Sequence, residues 1–151
     1  MQNYLDYADA IRTHGVLAAP AGAGRHADVD ARDVGEVAAR VLTEEGHAGR
    51  AYELTGPEAY AFADVARRIS TITGREVRFV DQDPDEGFRS LVKSGESEWS
   101  AQAWVELLAW FQGGEGTTNG SAVALGVEEV LDRPPRSLDA FLRENLKAFG
   151  G

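Results

Sequence analysis

The segment with the most chemical potential is Gly22-Ala23-Gly24-Arg25-His26-Ala27. It fits a loose G-x-G-x-x-G/A pattern, in which backbone N–H groups at the start of a helix hold a pyrophosphate. That use needs a strand directly before the turn and a helix directly after it. Pro20 interrupts the approach, and the next helix signal waits until Asp33, so no dinucleotide site is predicted here. Arg25 and His26 remain as candidate ligand contacts. A guanidinium can hold a carboxylate or phosphate by paired bonds, and an imidazole can donate near neutral pH. The competing and commoner reading is an exposed loop with ordinary polar residues.

Asp30, Arg32 and Asp33 invite comparison with an acid/base cluster. Asp33, followed by Glu36, has capping-box spacing. It is therefore predicted to open a helix, with Asp30 and Arg32 bracing the loop before it. His14, His26 and His47 lie far apart and the chain has no Cys, so no metal site and no disulfide framework are predicted. Nothing resembles G-x-S-x-G, and no catalytic residue is assigned. The richest aromatic stretch holds Trp99, Trp104, Trp110 and Phe111. Trp104, Leu107, Leu108 and Phe111 share a helical stripe and read first as core; for Trp104, a ligand-lining role is the second reading. Val105 and Trp110 fall off that stripe, are expected to be exposed, and suggest a second packing surface.

The elements that must position these groups are read from periodicity. Tyr4, Tyr7, Ala8 and Ile11 mark a helix ending at Gly15. Val34, Val37, Ala38, Val41 and Leu42 follow the Asp33 cap. Ala51 to Thr55 reads as a strand closed by Gly56-Pro57. Phe62, Val65, Ala66, Ile69 and Ile72 give a helix stopped by Gly74, and Val77 to Asp81 alternates as a strand. Strand, helix, strand at this spacing points to a βαβ-like unit and an α/β class. Further helices are predicted from Pro84 and from Ser97, then a mobile loop over 113–126, a short turn of helix over 127–131, and a last helix capped by Ser137.

The 151 residues fit a single domain, 1–151, and the hydrophobic share of 43% is that of a globular chain. A formal net charge of −10 repels phosphate backbones, so nucleic acid is not an expected partner. No apolar run is long enough to cross a bilayer, and neither a membrane nor a leader is expected. A cytoplasmic location is the expectation.

Three segments in order carry a resemblance: Asp30-Ala31-Arg32-Asp33-Val34-Gly35-Glu36-Val37-Ala38-Ala39, then Tyr52-Glu53-Leu54-Thr55-Gly56-Pro57-Glu58, then Arg133-Pro134-Pro135-Arg136-Ser137-Leu138. From Asp30 onward the chain resembles the back half of the NmrA-like proteins, atypical short-chain dehydrogenase/reductases. Met1-Gln2-Asn3-Tyr4-Leu5 looks like the inside of the family's Phe-Met-x-Asn helix, which follows five strands of a nucleotide-binding sheet. An internal methionine read as a start, or a truncated gene, is therefore expected ahead of a purpose-built half-protein. The Tyr-x-x-x-Lys pair of ordinary short-chain reductases is absent, since neither Lys93 nor Lys147 has a Tyr four positions before it.

The resemblance implies an α/β fold, the C-terminal substrate lobe of a Rossmann-type protein, with a small incomplete sheet packed with helices. It implies NAD(P)H as cofactor of the complete protein, and none for this chain alone. The complete protein would reduce a quinone-like or other carbonyl compound, or sense the redox state of the dinucleotide. By the same resemblance the Arg25–His26 loop borders the pocket facing the nicotinamide. The Trp104 helix belongs to the substrate side, where aromatics can line a pocket for a flat molecule. The sequence departs from the family at His26 and Asp28, where apolar or aromatic residues are usual, which puts the local strand and pocket wall in question. For the chain by itself the expectation is a non-catalytic fragment, or else a dimerising or partner-binding module. A half-sheet exposes an edge and an apolar face, so a homodimer or docking on the missing N-terminal half is expected.

Overall fold

The computed structural model describes residues 1–113 and 120–151; the stretch 114–119 of the predicted mobile loop lies outside the described residues. Gln2–Tyr7 is a 3-10 helix running into α1, Ala8–His14. Tyr4 and Ile11 are buried on this continuous stripe. Gly15 ends it at φ 64°, where a Cβ would sit 2.7 Å from the Glu76 carbonyl oxygen, so only glycine fits the turn. The chain then enters β1, Val16–Ala19. The remaining elements are α2 (Ala31–Thr43), α3 (Phe62–Thr73), β2 (Arg78–Asp81), α4 (Pro84–Ser94), α5 (Glu98–Gln112), α6 (Gly126–Leu131) and α7 (Leu138–Glu144).

Most predicted helices form where their stripes and caps place them. Ser97 and Ser137 accept from the backbone N–H groups of Ser100 and Ala140, and Asp83 caps α4 just before Pro84, as such positions should. The start of α2 differs from expectation. Asp30 is its cap, accepting from the Arg32 N–H at 2.9 Å and holding the Arg32 guanidinium as well. Asp33 lies one turn inside the helix and is wholly buried. Its carboxylate takes Arg133 at 2.8 Å, the Arg136 N–H at 2.7 Å and the Arg136 guanidinium. Glu36 receives both arginines one turn further on. The Arg-Pro-Pro-Arg segment is thereby fastened to α2 across about a hundred residues of sequence.

The sheet also departs from expectation. Residues 51–55 form no strand; Tyr52 and Leu54 pack against a cluster of Val37, Val127, Val130 and Leu131. The neighbour of β2 is β1, parallel, with Val16 opposite Arg78 and Ala19 opposite Asp81. Among the described residues this two-stranded sheet is the only one. Leu17 and Ala19 of β1 are buried, while β2 is largely exposed. The main core joins these two β1 residues to Phe62, Val65 and Ile69 of α3 and to Leu138, Phe141 and Leu142 of α7. The architecture is α/β, a small incomplete sheet packed with helices. Among the described residues no helix is long and apolar enough to cross a membrane.

The Asp30 cap has a pH consequence. Hydrogen bonds from the Arg32 side chain outweigh the opposing effect of burial, and with the Arg32 N–H and Gln2 they hold this carboxyl well below the usual range. A carboxylate depressed in the folded state stabilises above its unfolded value of about 3.9, and that stability is lost as pH falls through the folded value. Urea midpoints measured from pH 7 down to pH 3 should therefore fall more steeply for the parent chain than for Asp30→Asn. Parallel curves would show that the cap is not linked to protonation.

Candidate functional site

The segment Arg25–Asp28 is pinned by backbone bonds on both sides. His26 exchanges N–H···O bonds with Tyr60, both 3.1 Å, in an isolated antiparallel bridge. Ala27 receives the Gly56 N–H and donates to the Gly120 carbonyl. These contacts place His26 inside the molecule, 4% exposed, where the loop reading expected an exposed residue. Its ring stacks on Phe111, centroids 4.8 Å apart at 16°, with Phe62 and Tyr60 on other sides.

A polar cluster forms around it. The Tyr4 hydroxyl donates to Asp28 Oδ2 at 2.8 Å. His26 Nε2 lies 3.1 Å from the Tyr4 oxygen and 3.3 Å from Asp28 Oδ2. A proton on Nε2 satisfies that geometry, which leaves Nδ1 as a buried ring nitrogen without a hydrogen-bond partner among the described residues. Burial alone would push the Asp28 carboxyl up, but hydrogen bonds and charge from His26, with the Tyr4 bond, hold it below its ordinary value. Burial and the Asp28 charge push the Tyr4 phenol well up, so Tyr4 stays protonated. His26 and Asp28 are thus held together by hydrogen bonds through Tyr4, and a single bridge to Tyr60 fixes the segment.

This cluster lines a cavity of about 40 Å³ with Tyr7, Phe62, Trp104 and Phe111. That is room for an ordered water or one polar atom of a ligand. Trp104 and Tyr7 also line a wider groove of about 590 Å³ between α1, α4 and α5, a volume typical of small-molecule sites. Ala18, Ala19, Pro20 and Gln82 form its floor, at the carboxyl ends of both parallel strands, where ligands of open α/β sheets bind. The Trp104 indole donates to the Tyr7 hydroxyl at 3.2 Å, which fixes the wall shared by the two spaces.

Of the sequence-derived candidates, the fold brings His26 and Trp104 to one small cavity. Arg25 is outside both linings; its guanidinium holds Asp64 at 3.0 Å and the Ala59 carbonyl at 2.6 Å. Tyr4 and Asp28 were missed as site residues; the one available signal was the pair of polar residues His26 and Asp28 close together in the sequence. Val105 is buried, contrary to the reading from the stripe, while Trp110 is 53% exposed and Leu107 38%. The inward face of α5 is Ala101, Val105 and Leu108, so the helix is rotated relative to expectation.

The described residues do not fit a dinucleotide turn. The Gly22 N–H is occupied by Asp81 at 2.8 Å, a Cβ at Gly24 would sit 2.9 Å from the Phe111 carbonyl, and no helix follows until Ala31. His14 is exposed at the end of α1, and His47 bonds the Tyr52 hydroxyl at 2.8 Å. Among the described residues no group of three or more His, Asp or Glu is placed to hold a metal ion.

No family model matches the chain. It is 37% identical over 150 residues to an NAD(P)H azoreductase of Xenophilus azovorans, covering 99% of this chain and 51% of the relative. It is 33% identical over 151 residues to a (4-alkanoyl-5-oxo-2,5-dihydrofuran-3-yl)methyl phosphate reductase of Streptomyces griseus, covering 99% and 51%. The fold matches an NADPH-dependent quinone oxidoreductase of Escherichia coli with a TM-score of 0.85 at 24% identity, over 95% of this chain and 50% of that one. The chain spans about half the length of the curated relatives it matches.

Proposed function

This chain is NmrA-like and matches the C-terminal half of its relatives, and from that premise we propose that it forms the substrate side of an NAD(P)H-dependent reductase. The observation that carries the reading is the groove of about 590 Å³ at the carboxyl ends of β1 and β2, with the His26 cluster behind its Trp104 wall. In this reading the substrate is a flat carbonyl or quinone-like compound. Trp104 packs against it, and His26, braced by Tyr4 and Asp28, holds a polar atom or an ordered water on its inner side. Arg25 anchors the loop to α3 through Asp64. In this reading the dinucleotide is held by the other half of the complete protein, and the lobe by itself is not catalytic.

The test is NADPH oxidation by the product made from the native locus, measured with a panel of quinones after its intact mass is known. Turnover is expected when the dinucleotide-binding half is present. His26→Leu should then lower kcat/KM by about tenfold or more, while Arg25→Ala should leave kcat/KM within about twofold, as for a loop anchor outside the groove. A complete protein that neither bound NADPH nor oxidised it with any quinone would overturn the proposal.

A further inference from the structure

The groove has a charge of its own. Its lining includes the carboxylates Asp6 and Glu96, and no Lys or Arg. Glu96 is held by the Ser100 hydroxyl at 2.8 Å, on the same rim as Trp99. The chain that forms this rim, residues 81–98, carries six carboxylates against Arg89 and Lys93. An acidic cleft with low-dielectric walls concentrates cations and repels anions. The aromatic faces add to this: Trp99 is 81% exposed, and Trp104 and Tyr7 line the groove with it. Indole and phenol rings attract a cation over their faces, more strongly where water is excluded.

We propose that the groove binds a flat aromatic cation. The inference rests on the substrate-side reading above and narrows it: among aromatic ligands of similar shape, positive charge is selected and negative charge rejected. The shape comes from the small residues of the floor, Ala18 and Ala19, against the aromatic wall. The sign comes from Asp6 and Glu96. Phosphate- or sulfonate-bearing ligands would meet these carboxylates with no counter-cation in the lining.

The probes are N-methylacridinium and anthraquinone-2-sulfonate, three-ring molecules of opposite charge, titrated into the 151-residue chain and followed by calorimetry and tryptophan quenching. The cation should bind at least about tenfold more tightly than the anion and weaken as salt is raised. The double variant Asp6→Asn/Glu96→Gln should weaken the cation about fivefold, as two exposed charges on one groove allow, and leave the anion no weaker. The variant Glu45→Gln/Glu76→Gln makes the same change in net charge away from the groove and should alter neither by more than about twofold, because exposed charges beyond a Debye length are screened. Trp99→Ala, at an exposed position, should weaken the cation about threefold. Equal affinity for both probes would overturn the proposal, as would equal effects of the two double variants. Binding is read without dinucleotide and without turnover. A failed quinone assay would sink the reductase reading and leave this titration standing; the reverse result would spare the reductase reading and remove the charge preference.

Discussion

Asp33→Ala should lower the unfolding free energy by about 3 kcal/mol, the lower end of the range for breaking a buried ion pair. The carboxylate is fully buried, and its removal strands three donors: the Arg133 guanidinium, the Arg136 guanidinium and the Arg136 backbone N–H. The lower end applies because the arginine side chains are 33% and 28% exposed and keep Glu36 as a partner; water can therefore reach the abandoned cations. The Arg136 backbone N–H also loses its acceptor in a partly buried position, where an unmade hydrogen bond costs about 1 kcal/mol or more. Asp33→Asn keeps one acceptor and the volume, and should cost about half as much. Urea unfolding checks both variants. A loss below about 1 kcal/mol for alanine would show that Glu36 and packing hold α2 to the Arg-Pro-Pro-Arg segment without help from Asp33.

Gly56→Ala should be comparably damaging for a different reason. A Cβ there would lie 2.2 Å from the Asp28 carbonyl oxygen and 3.1 Å from its carbon. Both groups are backbone, so no side-chain rotation relieves the clash. The Gly56 N–H is also bonded to the Ala27 carbonyl at 3.1 Å, so separating the two segments stretches that bond. Overpacking of this kind costs about 1–3 kcal/mol or more, a fall in Tm of roughly 2–12 °C for a chain of this size. The displaced residue is Asp28, which carries the Tyr4 and His26 contacts. The imidazole resonances of His26 should therefore shift along with the loss of stability. Unchanged His26 resonances in a destabilised variant would mean that the loop moves as a unit and the cluster survives.

Local features were legible where they depend on neighbours in sequence. The apolar stripe and glycine stop of α3, the Ser97 and Ser137 caps, and the proline entry of α4 are decided within one or two helical turns. The start of α2 was not, because Asp30 and Asp33 both have capping chemistry. What separates them is a pair of arginines about a hundred positions away that claims Asp33. Residues 51–55 alternate like a strand, yet alternation reports only that one side is apolar. Tyr52 and Leu54 bury that side against α2 and α6 side chains, and β2 takes β1 as its neighbour instead. The site was half legible. His26 and Trp104 were candidates by residue type, but burial of His26 depends on its bridge to Tyr60 and its stack on Phe111, neither visible in the local sequence. Tyr4 read as an ordinary core residue of its stripe, since nothing nearby shows that its hydroxyl meets Asp28.

The pairing of β1 with β2 makes the groove depend on long-range closure of the chain. Val16 meets Arg78 only after some sixty residues have been brought back, and the chain entropy lost in closing so long a loop is not recovered until the strands lock. Helices α2 and α3 lie within that loop, and the Asp33–Arg136 contact spans a longer one still. The groove whose floor these strands end in is therefore made by distant parts of the chain, and no short segment of it carries the groove.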